Sequence, residues 1–386
     1  MKILHTADWH LGKTLNNFNL LEDQRYVLDN FIAIAKAEKP DVILLAGDIY
    51  DRSLAPAEAV TVFDEVMSAL ILDLKIPVIA IAGNHDSAER VNYCNYLLKR
   101  QGLHIFGSVE LPLKPVIMTD AFGEVYFYSI PYTDPETLRF LTKDDTIRTH
   151  EDTYRYLINQ ILENHPQEKR KVLIGHAFVS GGAESESERQ LLVGGAAQIP
   201  VSLFQDFDYV ALGHLHQPQT FLEGRLVYAG SVLKYSFSEV RSNKSVVLVN
   251  LDAKGFSDSQ KIALKPLRDV QKIRGVIEDR EFRVSEQSPQ VQAKDFLEVT
   301  LENEEIVPNA MQIIQKSYEH TMALKWANLY KPANQHRLTT EKLAQMNEID
   351  LFADFYQRFK GKDLDMNKQK IIKETITEIT REENEG

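Results

Sequence analysis

The chain is poor in cysteine, in net positive charge and in long apolar runs. Cys94 is the one cysteine among 386 residues, so an intramolecular disulfide is excluded and a thiolate metal site is argued against. Its neighbours Tyr93, Tyr96 and Leu97 give Cys94 the look of a packed core or interface residue. Lysine and arginine total 44 against 56 acidic residues, a net charge of −12, which argues against holding nucleic acid through overall charge. Nucleic acid stays open as a substrate, because bound metal ions can supply a local positive field. No apolar run approaches the roughly 20 residues of a membrane-spanning helix. The N-terminus enters a strand directly at Lys2, Ile3 and Leu4, without the basic and apolar regions of a secretory signal. The expectation is a cytoplasmic protein with no membrane association.

What is present is a set of short polar motifs, each at the end of a buried-strand pattern. Asp8–His10 follows Lys2–Thr6, Gly47–Asp51 follows Asp41–Ala46, and Gly83–Asp86 follows Val78–Ala82. Gly175 and His176 follow Lys171–Ile174, and Gly213–His216 follows Tyr209–Leu212. Parallel strands present their carboxyl ends along one sheet edge, so residues at those ends converge in space. Taken singly, each motif has an ordinary explanation: an Asp-x-His can be a capped turn, and a strand-end Asp can cap the next helix. Taken together, in order, they supply at least seven potential ligands. Their mix of carboxylate, imidazole and amide suits Mn²⁺, Fe²⁺ or Zn²⁺ better than Mg²⁺ or Ca²⁺, which prefer all-oxygen shells. A dinuclear metal centre follows, and such centres hydrolyse phosphate esters or peptides.

The rest of the chain reads as layers and a tail. Strand and helix alternate to about Ala263, the mark of an α/β domain, with helices at Leu20–Glu38, Ala57–Asp73 and Ala88–Arg100 and further strands at Val125–Ile130, Leu226–Ala229 and Ser245–Leu251. At this length a second domain is expected. Near Pro266 the pattern changes to strands Val270–Val276, Phe282–Val284 and Phe296–Leu301, a helix Asn309–His320 and a strand His320–Lys325. Residues 1–265, 266–338 and 339–386 are thus read as an α/β domain, a small α+β capping domain and a helical tail. In the tail Leu351, Phe352, Phe355, Tyr356 and Phe359 form one apolar stripe, and Met366, Ile371, Ile372, Ile376 and Ile379 a second. Such helices either pack on their own domain or dock on a partner protein. A Gly/Ser/Glu loop, Ser180–Glu188, is expected to be mobile and close to the site.

The order D-x-H, G-D-x-x-D, G-N-H-D, a single His and G-H-x-H resembles that of the calcineurin-like metallophosphoesterases over about the first 230 residues. The segments KILHTADWHLG, ILLAGDIYDRS and ALGHLHQPQ…VYAGSVLKYSFSE are similar to the SbcD family of nuclease subunits, and the tail segment LFADFYQRF to the part of that family that binds the coiled-coil root of an SbcC-type ATPase. The resemblance implies a two-sheet β-sandwich flanked by helices and two divalent metal ions, Mn²⁺ in this family. It implies Asp8, His10 and His216 as ligands of one ion, Asn84, His176 and His214 of the other, and Asp48 as the bridge. It makes His85 the residue that contacts phosphate and assists the leaving oxygen, with Asp51 as its orienting acceptor. Relatives in archaea and eukaryotes usually carry His at the Asp51 position, so this chain departs from them there. Asp86 reads as a loop cap or as support for a ligand histidine. Lys13, Arg52, Arg90, Lys234 and Arg241 stand beside the motifs as candidate phosphate contacts, though each alone is an ordinary surface charge. The family pairs its catalytic domains, which here implies a homodimer through Ala57–Asp73 and Ala88–Arg100. The implied function is an Mn²⁺-dependent exonuclease on duplex ends and endonuclease on single strands and hairpins, in DNA repair, replication and recombination. A nucleotide or small-phosphodiester hydrolase is the enzymatic alternative, and a metal-free scaffold the non-enzymatic one.

Overall fold

The computed structural model describes residues 1–188, 198–286, 291–327, 347–360 and 363–385. Its contacts divide the chain into two compact units, Met1–Gln271 and Lys272–Gly386. No helix among the described residues is long and apolar enough to cross a membrane.

The first unit is built on two six-stranded sheets. One runs, edge to edge, Gly255–Ala263, Ser245–Asp252, Lys2–Thr6, Val42–Ala46, Val78–Ile81 and Leu103–Phe106; the other runs Gln219–Phe221, Leu226–Tyr228, Tyr209–Gly213, Arg170–His176, Gly123–Ile130 and Val116–Asp120. The strands that carry the motifs are continuous apolar runs, as expected where both faces of a parallel sheet are covered. Ile3, Val42, Leu44, Ile79 and Ile81 of the first sheet pack against Phe127, Val172, Ile174 and Ala211 of the second, and this layer is the sandwich core. On the outer face of the second sheet, Tyr154, Leu157, Ile158 and Ile161 of the helix His150–Asn164 cover Leu173, Val210 and Leu212. That helix opens with a capping box between Thr149 and Asp152, which satisfies its first free amides.

One side chain ties the two sheets together at the end remote from the motifs. Arg170 forks onto the Asp120 carboxylate at 2.6 and 2.9 Å and donates to the Gly123 and Asp252 carbonyls. Asp120 ends the last strand of the second sheet and Asp252 ends a strand of the first.

Several elements differ from the sequence reading. The helix expected over Ala88–Arg100 is two short pieces, Ala88–Val91 and Asn95–Lys99, broken where Cys94 takes a left-handed φ of 59°. Asn95 is buried and donates to the Asn92 side chain, which fixes the break. Cys94 is exposed, not packed in the core. The helix from Ala57 is regular to Ser68 and widens to a π turn over Ala69–Asp73. The helix expected to reach His320 covers only Ala310–Gln315.

In the second unit the sheet order is Glu281–Glu286, Val270–Glu278, Phe296–Leu301 and Thr321–Trp326, the last two strands parallel. Ile273, Leu297, Val299, Leu301 and Ile314 form its core. The tail is two helices, Glu348–Lys360 and Met366–Glu385. Phe352, Phe355, Met366 and Ile371 are exposed on them, whereas the side chains of Phe359 and Ile379 lie outside the described residues. The expected boundary between residues 338 and 339 also lies outside them.

The Arg170 clasp makes a pH-dependent prediction. The Arg170 guanidinium holds the Asp120 carboxyl well below its ordinary value of 3.8. A lowered folded-state value means the stabilisation is present above 3.8 and is lost as pH falls below it. Asp120→Asn is expected to cost about 1.5–3 kcal/mol in urea unfolding at pH 7. The gap from wild type should shrink as unfolding is repeated at pH 4 and pH 3; a gap that stays constant would assign the cost to something other than this ion pair.

Candidate metal centre

The five motifs stand at the carboxyl ends of five strands. Lys2–Thr6, Val42–Ala46 and Val78–Ile81 are mutually parallel neighbours in one sheet, and Arg170–His176 and Tyr209–Gly213 are parallel neighbours in the other. The Asp8 and His10 amides donate to the Gly47 and Asp48 carbonyls, so the first two loops travel together. Close approach explains the glycines that open the motifs. A Cβ on Gly47 would sit 2.3 Å from His176 Nδ1, and one on Gly213 would sit 1.9 Å from the Ala46 carbonyl oxygen. Asp8, His10, Asp48 and His214 all adopt positive φ without being glycine, a concentration of backbone strain that is typical of functional sites.

Asp48 lies at the centre. Its Oδ2 is 3.4 Å from His10 Nε2 and 3.5 Å from His176 Nε2, so one oxygen faces a histidine from each sheet. Asp8, His10 and His216 bring ligand atoms into one cluster, with His10 Nε2 and His216 Nε2 3.0 Å apart. Asn84 Oδ1 lies 2.9 Å from His176 Nε2 and 3.4 Å from His214 Nδ1. All seven residues expected to be ligands therefore meet in one place, and Asp8 also brings a ligand atom into a cluster with Asp48 and His176.

Burial drives His10, His214 and His216 well below the ordinary imidazole value, and neighbouring positive or imidazole groups push the same way. Burial also lowers His176, although Asp48 pulls it up. Asp8 is pushed well above the usual carboxylate range by burial and then by Asp48. Four imidazoles that burial pushes toward the neutral form and two crowded carboxylates make up a donor set that suits divalent cations. Among the described residues no hydrogen-bond partner reaches the buried His214 Nε2, which a bound cation would satisfy. The residues fit the metal ions that the motifs imply.

His85 sits beside this cluster, its ring edge-on to His10 at 4.7 Å. Its Nδ1 is 2.8 Å from the main-chain oxygen of Asp51. Asp51 thus faces His85 through its carbonyl, while its carboxylate accepts from Lys13 at 2.8 Å. Lys13 is consequently half-buried and paired at the site, whereas Arg52 is 72% exposed and 3.7 Å from the same carboxylate. Arg90 lies on the surface near Tyr50 and Tyr93, and Lys234 is taken up by Asp269 and the Val240 carbonyl. Asp86 accepts from the amides of Ile49, Tyr50 and Gly83, so it caps the loops, and burial followed by Asp48 raises it to about 7.

Other residues at the site were not legible as site residues. Gln24 accepts from the Gly12 amide and donates to the Trp9 and His10 carbonyls and to Tyr235, which fixes the first loop. The available signal was a polar residue at helical spacing with Val27, Leu28 and Phe31 on the buried face of its helix. Ser187 and Glu188 of the Ser180–Glu188 loop reach His216, and Glu239 and Lys244 stand behind them.

Over residues 1–218 the chain matches the family model of the calcineurin-like phosphoesterases. Residues 266–359 match a model described as the type 5 capsule protein repressor C-terminal domain. The SbcD subunit of the SbcCD nuclease of Staphylococcus saprophyticus is 34% identical over 382 residues, which covers 99% of this chain and 99% of that protein. The chain belongs to the SbcD nuclease-subunit family of calcineurin-like phosphoesterases. It is a metal-dependent phosphodiesterase. Among solved structures, a dimetal phosphatase from Danio rerio is similar at 14% identity and a TM-score of 0.44, covering 69% of this chain and 99% of that one. A protein of Thermus thermophilus is similar at 13% identity and a TM-score of 0.39, covering 68% and 99%.

Metal removal tests the centre directly. Chelation is expected to lower the melting temperature by several degrees, and Mn²⁺ at 100-fold its dissociation constant to restore about 2.7 kcal/mol. Asp48→Asn should retain the fold by circular dichroism and lose the Mn²⁺-dependent rise in differential scanning calorimetry.

Proposed function

We propose that this chain is an Mn²⁺-dependent DNA nuclease subunit, acting in the cytoplasm with an SbcC-type ATPase as an exonuclease on duplex ends and an endonuclease on single strands and hairpins. The observation that carries this reading is the convergence of two donor groups on Asp48 Oδ2, in a chain whose relative of equal length is named a nuclease subunit. DNA repair, replication and recombination are the implied settings.

In this reading Asp8, His10 and His216 would hold one ion and Asn84, His176 and His214 the other, with Asp48 shared between them. When bound, the ions supply Lewis acidity toward the phosphoryl oxygens and an activated water. The protein's own groups do the rest. With Nδ1 donating to the Asp51 carbonyl, His85 presents Nε2 toward a phosphate ester, and in its protonated form it donates to the leaving oxygen. Lys13 and Arg52 flank Asp51 and would meet backbone phosphate, with Arg90 on the helix Ala88–Val91 as a further candidate contact. Asp51 orients His85 through its carbonyl and holds Lys13 through its carboxylate.

Two surfaces support the proposed partners. Val60, Leu72, Tyr93, Tyr96 and Leu97 leave a large apolar area exposed on the helices from Ala57 to Lys99, as a homodimer face requires. The exposed Phe352, Phe355, Met366 and Ile371 of the tail suit docking on an ATPase partner, where aromatic anchors dominate binding energy.

The decisive assay is cleavage of end-labelled duplex and hairpin DNA in Mn²⁺, with and without the co-purified ATPase. His85→Gln is expected to lower the rate by about 10²–10⁴-fold while bound Mn²⁺ is unchanged. Brisk hydrolysis of a small phosphodiester with no cleavage of any DNA would retain the centre and discard the nuclease reading. Separately, Phe352→Ala with Phe355→Ala should abolish co-purification with the ATPase and leave Mn²⁺ content intact; retained co-purification would remove the tail from the docking surface.

A further inference from the structure

We propose that Ser187 is a positioning residue that fixes the tautomer of His216 and so governs affinity at one of the two cation positions, an inference that rests on the dinuclear centre proposed above. The geometry favours one arrangement of protons, with the Ser185 hydroxyl, 2.9 Å from Ser187 Oγ, donating to Glu188 Oε2. Ser187 Oγ lies 2.6 Å from Glu239 Oε1 and 2.5 Å from His216 Nδ1. Glu239 is fully buried, and its other oxygen is paired with the buried Lys244 ammonium. Its Oε1 also receives the Tyr235 amide and the Ser236 hydroxyl. A carboxylate engaged in this way only accepts, so the single hydroxyl hydrogen of Ser187 goes to Glu239. Ser187 then has only lone pairs to offer His216, and the imidazole proton must sit on Nδ1. That leaves the lone pair on Nε2, the atom that faces His10 Nε2 at 3.0 Å in the Asp8, His10 and His216 cluster.

The same neighbourhood holds the backbone of His216 from both sides. Its amide donates to Glu188 Oε1 at 2.7 Å, and its carbonyl accepts from Lys244 Nζ at 2.7 Å. Adjacent residues of one loop therefore grip the main chain and the ring of one ligand. His176, in the other group, is served differently: its Nδ1 faces the Ala46 carbonyl at 2.9 Å, and Ala46 ends a central strand. One position has its acceptor built into the sheet. The other depends on a side chain brought by the 184–188 loop. A merely structural role for Ser187, tethering that loop, would change loop order without selecting between tautomers or between cations.

The test uses the full chain in two states. In metal-free protein with ¹⁵N-labelled histidine, long-range ¹⁵N–¹H spectra assigned with His216→Gln should show His216 as the Nδ1–H tautomer. Ser187→Ala should shift it toward Nε2–H, and Ser187→Thr, which keeps the hydroxyl, should restore it. In calorimetric Mn²⁺ titration, Ser187→Ala should weaken one equivalent about 10–100-fold and leave the other as in wild type. An unchanged tautomer in Ser187→Ala, or equal weakening of both equivalents, overturns the positioning role. Wild-type protein that takes up no Mn²⁺ overturns the dinuclear reading instead, and the metal-free spectra still decide the tautomer.

Discussion

Burying Asp8 and Asp48 together, among four imidazoles and away from water, is the constraint on which the rest of this structure depends. Two carboxylates in contact with a shared, desolvated space repel each other, and burial already raises the cost of ionising Asp8. Contacts outside the cluster offset that cost, although Asp8 also accepts the His214 amide and Asp48 the His85 amide. The sandwich core lies directly beneath, the Arg170 clasp holds the sheets at the far end, and the opening loops are bonded to one another through backbone amides. Positive charge delivered to the cluster would offset the repulsion between the two carboxylates.

How the supporting residues divide the work is instructive. Asp86 takes three backbone amides and keeps the loops after the second and third strands in register. Gln24 does the same for the first loop from a helix, using both ends of one amide. Neither is an expected ligand, yet both help to determine where the ligand atoms lie. Preorganisation of this kind is what allows a small number of side chains to act on a phosphate ester without moving.

The centre was largely legible in the sequence because its residues are local: each ligand sits within a few positions of a strand end, and glycine marks the close approaches. The strands were legible for the same reason, since Phe296–Leu301 and Lys2–Thr6 are continuous or alternating apolar runs. What was not legible depends on distant partners. Ser187 lies in the loop expected near the site, but no local pattern links it to Glu239 and Lys244, which meet it around His216. The split of Ala88–Arg100 was also hidden, because its residues favour helix and only the buried Asn95 and the left-handed Cys94 break it. The sequence pointed to Asp51 as the acceptor beside His85 but carries no information about which of its oxygens faces the ring, and it is the main-chain one.

That split has a practical consequence. Cys94, the single thiol of the chain, stands exposed at the turn between the two short helices, amid Tyr93, Tyr96 and Leu97. One maleimide dye per polypeptide therefore attaches at a known point of the apolar face. Its rate of labelling, its fluorescence and the transfer between dyes on two chains become a gauge of whether that face is open or covered, with no engineering of the protein at all.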